Sequence, residues 1–221
     1  IKDKHPILQI ITHQSLGYMK VLFDTLNSRL KIIESVRHPL FLIDHWLTVI
    51  DRYGNHPQSF LLSLDYNGKS LPWYTKGWEE KYENSNTIDK VILSIDYFTC
   101  NINNFTVDLN EDQRQQVMFI PFEQFVLDPN PFLGKIENFL STKKTSKTKR
   151  ILKKQKCPRR LVCEGPSKSI YKRYGLKNSE SNDLLEYEKR LENVRKHASN
   201  ESLEILNKLS LQYEKTYGLW F

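Results

Sequence analysis

The sequence is poor in the residues that mark several special classes of protein. Its 221 residues include only 3 cysteines, 8 glycines and 9 prolines, too few for a disulfide scaffold, a collagen-like chain or a low-complexity linker. No apolar run approaches the roughly 18 residues that a membrane-spanning helix needs. The cysteines, Cys100, Cys157 and Cys163, are too few and too widely spaced for a tetrahedral zinc site. We therefore expect a reducing compartment, no metal, and at most one disulfide, between Cys157 and Cys163.

Positive charge is concentrated in one part of the chain. From Ser141 to Arg173, thirteen lysines and arginines stand against a single acid, Glu164, which gives a net charge of +12 in a protein whose total is +7. The rest of the chain therefore carries −5. Such a segment suits a solvated surface, a nucleic-acid arm or the binding of a polyanionic ligand, and composition does not choose among these.

Short apolar runs alternate with helical periods, which predicts an α/β fold. Strands are predicted over residues 6–11, 31–36 and 117–122, and helices over 17–29, from Pro39, over 87–101 and from Asp128. Because the connections are short, a parallel sheet with right-handed crossovers and helices on its faces is the economical arrangement.

We interpret residues 1–221 as a single domain that lacks its natural N-terminus, since the chain opens with Ile1 rather than Met. An insertion over 55–86 contains a hairpin around Asn67-Gly68, a dipeptide typical of type I′ turns. The basic segment, 141–175, shows no period and is predicted to be a loop. Two amphipathic helices, over 183–197 and 201–217, are expected to close the chain within 183–221.

Two predicted strand ends carry residues suited to group transfer. Arg37 lies just before the helix that Pro39 opens, and a helix N-terminus with an arginine favours a phosphate. An ion pair with a nearby acid such as Glu34 or Asp44 is the structural alternative. His13 follows the first predicted strand and could act as a general base near neutral pH.

These residues resemble the central part of sulfotransferases that use 3′-phosphoadenosine 5′-phosphosulfate (PAPS). The resemblance lies in Ile11-Thr12-His13, in the run SVRHPLFLIDHW from Ser35 to Trp46, and in FEQFVLDP from Phe122 to Pro129. The closing Tyr217-Gly218 pair is similar to the last helix of bacterial members. The resemblance implies a P-loop-NTPase-like parallel sheet flanked by helices.

The resemblance also implies roles for individual residues. His13 would be the catalytic base and Arg37 would bind the 3′-phosphate of PAPS, with His45 at the position of a family serine. Lys172 and Arg173 are the best counterparts of the loop that closes over that phosphate, with Arg159-Arg160 as competitor. The family loop that binds the 5′-phosphosulfate has no counterpart here, and some branches use a glutamate base from that missing region.

The expected function is sulfuryl transfer from PAPS to a hydroxyl or amine of a small-molecule or carbohydrate acceptor, in the cytoplasm. Aromatic residues of the insertion could form an acceptor wall or ordinary core, namely Tyr66, Trp73, Tyr74 and Trp78. A nucleic-acid or polyanion-binding protein that uses 143–173 is one alternative, although sparse aromatics make a nucleic-acid partner the weaker hypothesis. A P-loop nucleotide kinase fragment is the other.

Overall fold

A computed structural model describes residues 8–50, 62–162, 164 and 182–221. These residues form a helix-rich α/β structure with one parallel and one antiparallel pair of strands. The strands are β1 (Ile32–Val36), β2 (Ser63–Tyr66), β3 (Lys69–Pro72) and β4 (Val117–Pro121). The helices are α1 (Lys20–Leu26), α2 (Pro39–Ile50), α3 (Glu79–Asn84), α4 (Thr87–Asp108), α5 (Glu111–Arg114), α6 (Phe122–Leu127), α7 (Asn130–Phe139), α8 (Ser146–Lys154), α9 (Asp183–His197) and α10 (Asn200–Tyr217).

The parallel pair consists of β1 and β4, in register from Ile32 opposite Val117 to Val36 opposite Pro121. Both strands and the parallel sense were predicted, and the α/β class is confirmed. Helix α2 begins at Pro39, as predicted, because the fixed φ of proline suits the first helical position and its missing N–H costs nothing there.

The first predicted strand is wrong for the part that the structure describes. Residues 8–11 form no strand, and the side chains of Leu8, Ile10 and Ile11 are exposed; Pro6 and Ile7 lie outside the described residues. An apolar run becomes a strand only when a partner supplies its ladder hydrogen bonds and a core covers its side chains, and among the described residues β1 pairs with β4 instead.

The main core lies between helices α2, α4 and α10. The fully or almost fully buried side chains at its centre include Leu40, Ile43, Trp46, Val91, Ile92, Ile95, Leu206 and Leu209. Helix caps define where two of these helices start. Asn86 accepts a hydrogen bond from the backbone N–H of Asp89 at the start of α4, and Ser199 accepts one from Ser202 at the start of α10. The two C-terminal helices were predicted almost to the residue, and α4 runs seven residues beyond its predicted end at 101.

The predicted hairpin is present as β2 and β3. Its turn residues, Asn67 and Gly68, have φ values of 53° and 76°, as a type I′ turn requires. Pro72 stands at the last position of β3, where a residue that cannot donate to the ladder does least harm.

The prediction of a loop for the basic segment is wrong over nine residues. Helix α8 forms from Ser146 to Lys154, and the hydroxyl of Thr148 accepts a hydrogen bond from the backbone N–H of Thr145 at 3.1 Å, which closes the first turn. Lysine, arginine and leucine are good helix formers, so a helix needs no apolar period when most of its faces stay in water. Of the rest of the predicted loop, the structure describes 141–145, 155–162 and Glu164, none of them in a helix or strand, and the remaining residues lie outside the described ranges.

Among the helices of the described residues, none combines the length and the apolar character that a membrane crossing requires.

Candidate anion-binding site at the ends of β1 and β4

The parallel pairing brings two strand-to-helix junctions together. Strand β1 is followed by Arg37 and His38 before α2, and strand β4 leads directly into α6 at Phe122 and Glu123. Because parallel strands end at the same edge of a sheet, these four residues meet there. In α/β proteins this edge is where ligands bind.

A buried carboxylate organises the junction. Glu123 is 0% exposed, and its Oε1 accepts a hydrogen bond from Nε of Arg37 at 3.2 Å. Its Oε2 accepts from the hydroxyl of Tyr213 at 2.8 Å and from the backbone N–H of His38 at 3.4 Å. Three donors, two from the adjacent residues Arg37 and His38 and one from Tyr213 on α10, therefore compensate the cost of burying this charge. Burial and the carboxylate raise the pKa of Tyr213, which keeps the hydroxyl protonated as a donor.

Two guanidinium groups contact the ring of Phe122. Arg37 lies 4.9 Å and Arg159 5.5 Å from the ring centroid. Arg159 is held in place by its backbone N–H, which donates to the carbonyl of Val126 at 2.7 Å, and by Nη1, which donates to the carbonyl of Val162 at 2.7 Å. Against the single carboxylate of Glu123, the two guanidinium groups leave these three side chains with a net charge of +1, which suits a phosphate or sulfate at this edge.

His38 has a structural role. Its ring is 0% exposed, and Nδ1 accepts a hydrogen bond from the backbone N–H of Leu40 at 3.2 Å. The proton therefore lies on Nε2, which donates to Oε1 of Glu214 at 3.1 Å. Burial lowers the pKa of His38, against the opposing effect of Glu214, so the ring is neutral at pH 7 and caps the first turn of α2 while linking it to α10.

The predicted site residues are only partly brought together. Arg37 lies at the junction, but its carboxylate partner is Glu123 rather than Glu34 or Asp44, and Asp44 pairs with Arg190 at 2.5 Å. His45 is exposed on α2.

His13 follows residues 8–11 in an exposed bend, so its expected placement at the end of a buried strand is wrong. Lys172 and Arg173 lie outside the described residues. The competing Arg159 is the residue that contacts the same ring as Arg37. The family resemblance favours Lys172 and Arg173 over Arg159 by their position in the chain, and no local feature of the sequence around Arg159, 122 positions from Arg37, indicates this contact.

The aromatic residues of the insertion belong mainly to the core. Tyr74 is 2% exposed and its hydroxyl accepts a hydrogen bond from Ser94 Oγ at 3.1 Å. Trp73 and Trp78 are partly buried against the same core, and Tyr66 is half-buried on β2. The core interpretation of Trp73, Tyr74 and Trp78 is therefore the one that the structure supports.

Cys157 is a free, buried thiol whose pKa is raised by burial. No group of three or more histidine, cysteine, aspartate or glutamate side chains within the described ranges could hold a metal ion.

No protein-family model, no curated protein and no solved structure matches this chain.

Proposed function

We propose that the protein is a sulfotransferase that uses PAPS as its donor, and that β1 and β4 belong to a P-loop-NTPase-like sheet. The observation that carries the proposal is the placement of Arg37, at the carboxyl end of a parallel strand and one residue from a helix that starts at a proline. The resemblance of the sequence around Arg37 and Phe122 to this family supports the same hypothesis, because these two segments are neighbours in space.

The donor set at the junction fits the 3′-phosphate of PAPS. Nε of Arg37 is occupied by Glu123, which leaves the two Nη groups of a partly exposed guanidinium for a phosphate oxygen. Glu123 thus fixes the guanidinium plane before the ligand arrives, which reduces the entropy lost on binding. Arg159 supplies a second cation at the same ring, and His45, Lys172 and Arg173 remain proposed contributors.

The chemistry proposed for this site needs positioning and electrostatics from the protein. When bound, PAPS supplies the sulfuryl group that passes to an acceptor oxygen or nitrogen as its bond to the 5′-phosphate breaks. His13 is the proposed base that takes the acceptor proton, since its exposed imidazole is accessible. His38 is unsuited to that role because both of its ring nitrogens are engaged.

Calorimetric titration with 3′-phosphoadenosine 5′-phosphate, the desulfated product, tests the donor site. We expect a Kd on the order of micromolar, weakened at least about tenfold by Arg37→Lys and by Arg159→Gln. Arg29→Gln is the control, because Arg29 is an exposed arginine shortly before the opposite end of β1. Absence of binding at moderate salt, or equal weakening in all three variants, would overturn the proposal.

A further inference from the structure

The most strongly charged surface of the described chain is not explained by donor binding. Residues 143–156 contain seven lysines and one arginine but no acid, a net charge of +8 in a protein whose total is +7. PAPS carries about four negative charges, and Arg37 and Arg159 already serve its proposed phosphate site. The basic residues of this segment therefore need another explanation.

The formation of α8 gives these cations a fixed arrangement. Lys147, Arg150 and Lys154 follow each other at spacings of three and four residues, which places them in one stripe along the helix. Lys149 and Lys153 form the adjacent stripe. All five side chains are exposed, and none of them has an ion-pair partner among the described residues.

The opposite face of α8 attaches the helix to the body of the protein. Leu152 packs against a small apolar cluster that contains Val126 and Cys157, and Phe122 packs against the same cluster. Thr148, one turn before Leu152, is also half-buried. The basic face therefore points away from the body of the protein.

This attachment places the basic face next to the anion-binding site. Lys154 and Arg159 are five positions apart, so the end of α8 lies within about 18 Å of Arg159, whose guanidinium contacts the Phe122 ring. The helix itself is about 13 Å long. Lysines and arginines thus continue from α8 through Lys156 to Arg159 and, across the Phe122 ring, to Arg37.

The chemistry of the face narrows the choice of ligand. A single small anion can contact two or three converging cations, whereas the five cationic side chains of α8 point outward along the helix. We therefore expect an extended ligand. Insertion into a lipid surface needs exposed apolar side chains, and Ile151, which is 57% exposed, is the only large one on α8. Single-stranded nucleic acid binds through aromatic stacking, and residues 141–156 contain no aromatic side chain.

We infer that the basic face of α8 binds an acidic polysaccharide, a chain that carries carboxylate or sulfate groups and also offers the hydroxyls that a sulfuryl acceptor needs. Lysine predominates over arginine by seven to one in residues 143–156, which suits monodentate contacts along a flexible chain rather than bidentate recognition of a fixed group. The acceptor role, but not the binding itself, rests on the proposed function.

Fluorescence anisotropy with labelled polygalacturonate tests the inference directly, with labelled neutral dextran as the uncharged comparison. The test variant carries glutamine at four α8 positions, Lys147, Arg150, Lys153 and Lys154. The control variant carries glutamine at four exposed positions of α9 and α10, Arg195, Lys196, Lys208 and Lys215. Both variants lose three lysines and one arginine, so a difference between them reports position and not net charge.

We expect polygalacturonate to bind to the wild type, to weaken with rising salt, and to bind at least about tenfold more weakly to the α8 variant. The control variant should stay within about twofold of the wild type. Circular dichroism checks that the helix content of both variants is retained. Equal weakening in the two variants, or dextran binding as tight as polygalacturonate binding, would overturn the inference.

Two further probes separate the alternative ligands at the same salt concentration. Tighter binding of a DNA duplex than of polygalacturonate would replace the polysaccharide with nucleic acid, and tighter binding of phosphatidylserine vesicles would replace it with a membrane surface. Binding of 3′-phosphoadenosine 5′-phosphate should be unchanged in the α8 variant. If the protein binds polygalacturonate but not 3′-phosphoadenosine 5′-phosphate, only the proposed function is contradicted. If it binds 3′-phosphoadenosine 5′-phosphate but not polygalacturonate, only this inference is contradicted.

Discussion

Arg37 and Glu123 are 86 positions apart in the sequence and meet through a 3.2 Å hydrogen bond from Nε to Oε1. The pair joins the end of β1 to the start of α6, and Tyr213 adds α10 to the same carboxylate. One buried acid therefore connects the sheet, two helices and the guanidinium proposed to bind phosphate.

Removal of this acid should strongly destabilise the protein. We expect Glu123→Ala to lower the free energy of unfolding by about 3–5 kcal/mol, because it leaves Arg37, the Tyr213 hydroxyl and the His38 N–H without their acceptor. Glu123→Gln should cost less, since the amide oxygen still accepts. Urea denaturation measures both values.

A double-mutant cycle isolates the pair itself. Arg37→Ala and Glu123→Ala, alone and combined, should show a coupling energy between about 1 and 3 kcal/mol. Tyr213→Phe provides a comparison, because it removes one donor but leaves the ion pair. Additive effects of the two alanine substitutions would contradict the description of Glu123 as the anchor of Arg37.

His38 should make stability fall in acid. Its pKa is lowered in the folded protein, so the unfolded chain binds the proton more readily and gains stability once the pH drops below about 6.5. Above that pH, neutral His38 makes its full contribution to the free energy of unfolding. This contribution is lost as the pH falls through the lowered pKa that His38 has in the folded protein. His38→Gln keeps hydrogen-bonding atoms but does not titrate, and its unfolding free energy should lack this part of the acid-side decline in urea titrations across pH 5–8.

Glu34 should act in the opposite direction. Burial raises its pKa to about 7, so the folded state favours the protonated carboxyl. This contribution is present below the ordinary pKa of about 4.5 and is lost as the pH rises through about 7. Glu34→Gln should therefore increase stability relative to the wild type at pH 8 by about 1–3 kcal/mol more than at pH 4.5. If the unfolding free energies of Glu34→Gln and the wild type differ by the same amount at pH 4.5 and pH 8, a raised pKa of Glu34 in the folded protein is contradicted.

The hairpin turn offers a test of backbone conformation. Gly68→Ala should destabilise by about 1 kcal/mol because φ at this position is 76°. Gly134→Ala is a matched control in α7, where an added Cβ would meet nothing within 4 Å, and it should stabilise by about 0.5–1 kcal/mol. Thermal unfolding of the two variants should shift the Tm in opposite directions.

The elements that were predicted correctly carry strong local signals. Proline at the first position of α2, Asn-Gly in the hairpin and the apolar period of α10 each favour one structure whatever surrounds them. Helix α8 also has a local signal, the helix propensity of its lysines and arginines, but it has no apolar period, which is the pattern on which the loop prediction depends. Residues 8–11 show the reverse case, because their apolar character favours a strand only when a partner is present.

The sequence by itself determined the α/β class, the position of Arg37 before a helix N-terminus and, to within a residue, the bounds of β1, β4 and the two C-terminal helices, because backbone propensities and caps act within a few residues. Only the tertiary structure decided that Glu123 is the partner of Arg37, that Arg159 contacts the same ring, and that His38 is buried with its proton on Nε2. Those outcomes depend on which groups, far apart in the sequence, are buried together when the chain folds and so lose their contacts with water. Desolvation makes an unpaired buried charge costly, so the fold selects partners by burial and geometry rather than by distance along the chain.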